Sequence, residues 1–113
     1  MTIGEWLEHR EPKPPAALLA AIRSALGSDV DADAEDAPAV LLTAAERGLR
    51  QIVARDETGR PIADDLLAID ALTTYALEAA TETLKSLGGF ADDAMKRFGG
   101  IPSRDPGTTP PAA

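Results

Sequence analysis

From Ile62 to Leu87 the chain runs for 26 residues with neither proline nor glycine. Nothing else in the sequence limits its fold as strongly. At a rise of 1.5 Å per residue, a helix over that run is about 39 Å long. Ile62, Leu66, Ile69, Ala76, Ala80, Leu84 and Leu87 follow one helical face, and Leu67, Leu72, Tyr75, Leu77 and Ala79 widen it. An apolar surface that broad needs neighbours on more than one side. Upstream, Pro38 to Arg55 carries Leu41, Ala45, Gly48, Leu49, Ile52 and Val53 at helical spacing, with Asp36 placed to cap its first turn. Thr43 and Glu46 offer a second capping box inside it, and with it a later start. Asp56, Glu57, Thr58, Gly59, Arg60 and Pro61 read as a compact turn. The expectation is an all-α fold: a small helical bundle built on a long two-helix antiparallel hairpin. The first arm of the hairpin covers only about two-thirds of the second by the same rise.

The shorter elements follow from punctuation. Thr2 and Glu5 form a capping box for a brief helix ending near His9. Pro12, Pro14 and Pro15 interrupt, and the last can open a helix to Leu26 that Gly27 closes. Leu18, Leu19, Ile22, Ala25 and Leu26 form its buried face. Ser28 to Ala37 holds Asp29, Asp31, Asp33, Glu35 and Asp36 and reads as a loop. Gly88 and Gly89 are expected to end the long helix. Phe90, Ala91, Ala94, Met95 and Phe98 then suggest a short amphipathic helix that folds back. Residues 1–98 are thus expected to form one helical domain, and residues 99–113, rich in proline and glycine, a flexible tail.

Of the 50 hydrophobic residues 22 are alanine, so the core is thin for its length. Alanine buries little area per ordered residue, and small domains are already marginal. Self-association as a homodimer is the expected compensation, two hairpins completing a four-helix bundle. Nineteen acids against eleven bases argue against nucleic acid or an anionic membrane as partner, because both require clustered Lys and Arg. Without cysteine there is no disulfide, thiolate metal site or thiol nucleophile. The first ten residues lack the basic start and apolar run of a secretory signal, and no stretch approaches 18 apolar residues. The cytoplasm is therefore the expected compartment.

Candidate chemistry is sparse. Asp29, Asp31 and Asp33 match the first three oxygen positions of an EF-hand calcium loop, but Ala34 and Val40 stand where its turn glycine and bidentate glutamate belong. These three are weak candidates for a cation, and a solvated acidic cluster is the plainer account. Asp64, Asp65 and Asp70 open the long helix, where negative charge complements the helix dipole. Glu5 and His9 share a face at i, i+4, but one histidine is too few for a metal centre. Arg47, Arg50 and Arg55 form a basic face, with Glu46 placed to pair with Arg50. Glu78 and Glu82, near Lys85, read as an exposed stripe. Gly48 interrupts a helix at a cost of about 1 kcal/mol relative to alanine, which suggests a groove of small residues admitting a neighbouring helix. No catalytic residue and no cofactor is expected. The function expected is that of a non-catalytic helical interaction module, a small regulator, adaptor or accessory subunit, with Leu66, Ile69, Leu72, Tyr75 and Gly48 as contacts. The alternative is a ligand- or metal-binding protein, or a small enzyme. Its site would form between chains from acids such as Asp65 and Asp70 with Tyr75 or Arg47.

Overall fold

The computed structural model describes residues 1–55 and 60–99, with side chains described except at 60 and 61. Among these residues it is helical and without strands: α1 (Ile3–Glu8), α2 (Ala16–Leu26), 3-10 turns at Gly27–Asp31 and Ala34–Asp36, α3 (Ala37–Arg55) and α4 (Arg60–Gly99). The chain divides into two compact units, Met1–Glu82 and Thr83–Ala113.

In the first unit, Thr2 caps α1 as expected: its hydroxyl accepts from the Glu5 amide at 3.1 Å, and the Glu5 carboxylate reaches back to Thr2. α2 begins after Pro15 and ends at Gly27, whose φ of +56° suits a residue without a Cβ. The acidic stretch is more ordered than a plain loop. The Ile3 amide donates to the Ala32 carbonyl and the Ala34 amide to the Met1 carbonyl, each at 2.9 Å, so the N-terminus lies antiparallel to residues 32–34. Charge density concealed this, because Val30, Ala32 and Ala34 of the segment pack against the core while Asp31, Asp33, Glu35 and Asp36 are exposed.

The core joins all four helices: Ile3, Trp6 and Leu7 of α1, Ile22 and Leu26 of α2, Ala37, Leu41, Ala44 and Ala45 of α3, and Leu72, Ala76 and Ala79 of α4. α3 and α4 pack in antiparallel order. Arg55 pairs with Asp65, and seven residues back along α3 Gly48 faces Ile69. A Cβ built on Gly48 would stand 3.1 Å from Cγ1 and 3.3 Å from Cδ1 of Ile69. The groove foreseen around Gly48, Ala44 and Ala45 thus receives a side chain of the chain's own α4. Gly48→Ala is expected to change stability by less than about 1 kcal/mol, because helix propensity gained offsets the displaced Ile69 tip. Gly48→Leu must part the helices and should cost about 1–3 kcal/mol in a urea titration.

The expected stop at Gly88 and Gly89 and the separate final helix are not found: α4 continues through both glycines to Gly99. Glycine weakens a helix interior by about 1 kcal/mol but keeps its amide donor, so the i to i−4 ladder survives where proline would break it. The turn expected at 56–61 falls largely outside the described residues, as does the tail from residue 100. In the second unit the large apolar side chains Leu84, Leu87, Phe90, Met95 and Phe98 are all exposed.

Candidate functional site

Side-chain chemistry concentrates in two places, both in the first unit. One is an open groove of about 670 Å³ bordered by α2, α3 and α4, with Ser24, Arg47, Gln51, Arg55, Asp64 and Asp65 among its polar lining. Its cations are engaged. Arg47 donates through Nη2 to the Ala25 carbonyl at 2.9 Å, satisfying one of the orphan acceptors at the end of α2. Arg55 pairs with Asp65, and on the outer surface Arg50 pairs with Glu46 at 2.6 Å, the i, i+4 bridge the spacing suggested.

The other gathers around Trp6, and sequence reasoning missed it. The Trp6 indole donates through Nε1 to a Glu82 carboxylate oxygen at 2.9 Å, and its ring meets Tyr75 edge-on at a centroid distance of 6.3 Å. The Arg10 guanidinium lies 3.8 Å from the Trp6 ring centroid and bridges Glu82 at 2.6 Å and Glu78 at 3.5 Å. Glu78 and Glu82 are exposed, as expected, and also serve as a paired acceptor for the N-terminal element. The signal available was the i, i+4 spacing of Trp6 and Arg10 matched by that of Glu78 and Glu82. Nothing local said which elements would meet. Arg10 Nε is buried with no hydrogen-bond partner, so the guanidinium is held chiefly by its ring stacking and its outer nitrogens. These ion pairs are partly exposed, and each contributes at most about 1 kcal/mol.

Burial, then the neighbouring Glu78 carboxylate, push the Tyr75 hydroxyl above the usual tyrosine range, against an opposing pull from Arg10. The neutral phenol is thus favoured in the folded state. Because the folded pKa is raised, Tyr75's contribution is intact below its unfolded value of about 10 and is lost as pH rises through the folded one. Denaturant midpoints measured from pH 9 upward are expected to fall more steeply for the natural protein than for Tyr75→Phe.

The residues singled out from sequence are dispersed. Leu72 is in the core, Ile69 fills the notch at Gly48, Tyr75 packs on Trp6, and Leu66 is exposed. Asp65 and Arg47 border the larger groove, whereas Asp70 and Tyr75 border a separate one of about 270 Å³ with Arg10 and Glu78. Five positions along a helix turn Asp70 well away from Asp65, so one chain does not bring the two acids together. His9 caps α1, its ring Nδ1 lying 2.6 Å from the Glu5 carbonyl. Asp33 accepts from the Glu35 amide at 2.9 Å and caps the second 3-10 turn. Among the described residues, no three histidine or carboxylate side chains, Asp29, Asp31 and Asp33 included, are grouped so as to hold a metal ion. Nor is any described helix long and apolar enough to cross a membrane. The chain matches no protein-family model, no curated protein and no solved structure.

Proposed function

We propose that this chain is a non-catalytic helical protein–protein interaction module, a small regulator, adaptor or accessory subunit, with a second copy of itself as its first partner. One observation carries the proposal: eight large apolar side chains of α4, from Leu66 to Phe98, remain 46–73% exposed. Scattered apolar residues are ordinary on a protein surface, but contiguous patches beyond a few hundred Å² mark contact sites. The arginines of the larger groove and the glutamates around Arg10 are engaged in contacts within the chain. In a dimer, the exposed apolar side chains of α4 in the two copies would cover one another, compensating for the alanine content.

Light scattering at micromolar concentration is expected to give a mass near twice 11.8 kDa. An environment-sensitive apolar dye should bind once dilution separates the copies. A mass of 11.8 kDa up to hundreds of micromolar, with no dye bound at any concentration, overturns the proposal.

A further inference from the structure

We infer that residues Leu84–Phe98 of α4 form a self-complementary seam that takes the same helix of a second copy, running antiparallel about a twofold axis level with Gly89. The inference rests on the interaction-module proposal and names its surface and geometry.

Leu84, Leu87, Ala91, Ala94 and Phe98 recur at alternating intervals of three and four, the spacing that keeps one seam of a helix facing a partner helix. The leucines and Phe98 are exposed, and Phe90 and Met95 flank them at 72% and 73% exposure. Positions flanking the seam hold Gly88 and Met95 on one side, and Phe90 and Arg97 on the other. Lys85, Asp92, Asp93 and Lys96 fall outside it. Two copies of a strongly acidic protein can therefore meet here without opposing carboxylates.

The glycines supply a second observation. Gly88 and Gly89 sit inside a continuous helix, and a Cβ built on either would meet nothing within 4 Å. Nothing described within the chain calls for their lack of a side chain. Close approach of another backbone does, at Gly88. With the twofold level with Gly89, Leu84 lies level with Ala94 of the second copy, Leu87 with Ala91 and Phe98 with Ala80, so that large meets small at every layer. Phe90 then lies beside its own symmetry mate, and Gly88 beside its own, where no side chain holds the helices apart. A parallel pair would instead stack Ala91 on Ala91 and Ala94 on Ala94 between leucine and phenylalanine layers, leaving voids.

The area fits a second copy. Five large side chains exposed to this degree offer on the order of 600 Å² per copy, or about 1,200 Å² in all, the lower edge of specific interfaces. The chain's own last 14 residues are a poor alternative cover. They contain four prolines, and Ile101 is their only large apolar residue.

The test uses the full chain, which has no cysteine to interfere with labelling. Leu87→Asp is expected to weaken dimerisation at least 100-fold with the denaturant midpoint of the Trp6 signal unchanged in solutions dilute enough that both proteins are monomeric, since Leu87 is 58% exposed in the single chain. Gly88→Leu should also weaken it although leucine favours helix, an outcome opposite to that of a merely structural glycine. A spin label on Gly99→Cys should report a separation of about 30 Å or more, twenty residues of helical rise, against less than about 20 Å for a parallel pair. A dimer that survives Leu87→Asp and Gly88→Leu, or a short label distance, overturns this seam and leaves the interaction module standing. A natural chain that stays monomeric but binds the dye overturns the seam and the choice of a second copy as partner. A monomer that is also silent to the dye overturns both proposals.

Discussion

Replacing Trp6 by alanine should lower the stability of the Met1–Glu82 unit by roughly 3–5 kcal/mol, the range for deleting a large buried aromatic. Trp6 is only 7% exposed and joins α1 to α4 both by packing and by a hydrogen bond. Its loss removes the edge-on contact with Tyr75 and the surface on which Arg10 stacks, and takes the indole donor from Glu82. α1 has six residues and no helical stability of its own, so it depends on this docking. Domains of this size are stable by about 5–15 kcal/mol, so at the lower end of that range the loss leaves a measurable unfolded fraction at ambient temperature. Trp6→Phe keeps an aromatic body against Tyr75 and loses only the donor, for an expected cost of about 1–2 kcal/mol. Urea unfolding followed by circular dichroism checks both variants, since both lack the tryptophan signal. A Trp6→Ala protein within about 1 kcal/mol of the natural one would mean that α1 is not part of the cooperative unit.

The elements legible in the sequence were those specified by local rules. The Thr2 and Glu5 capping box, the start of α2 after Pro15, its stop at Gly27 and the Glu46–Arg50 pair each depend on residues within one turn of one another. Length and periodicity also identified α3 and the first part of α4. Errors arose where distant partners decide. Gly88 and Gly89 looked like a helix end because glycine is common there, but a helix ends at glycine only when the following residues find better contacts elsewhere. Glu78 and Glu82 are exposed as their pattern suggests, but their pairing with Arg10 was hidden because Arg10 lies about seventy positions away and beyond the three prolines that follow α1. The acidic segment looked loose because its pairing with Met1 and Ile3 uses backbone groups, which no side-chain pattern reveals. The candidate contacts were chosen by periodicity alone. A 3.6-residue period marks an apolar face without saying which part of it the chain itself covers.

That gap makes Leu72 and Leu66 the most informative pair on α4. They lie six residues apart on the same apolar surface, yet Leu72 is 1% exposed and Leu66 is 46% exposed. Leu72→Ala should cost about 2–5 kcal/mol, because its neighbours Leu41, Ala44 and Ala45 are held by α3 and cannot close the space. Leu66→Ala removes a side chain already half in water and should cost no more than about 0.5 kcal/mol in a separated chain. Dependence on concentration then distinguishes fold from assembly. A residue buried within one chain costs the same stability at every protein concentration, whereas a residue covered by a partner costs more as the partnered fraction rises. Denaturant midpoints from submicromolar to hundreds of micromolar should therefore leave the Leu72→Ala deficit constant. A Leu66→Ala deficit that widens with concentration would place α4 contacts in the Met1–Glu82 unit, in addition to those of the Leu84–Phe98 seam. A Leu72→Ala deficit below about 1 kcal/mol at every concentration would contradict the packing of α3 on α4, because only a site able to collapse freely loses so little.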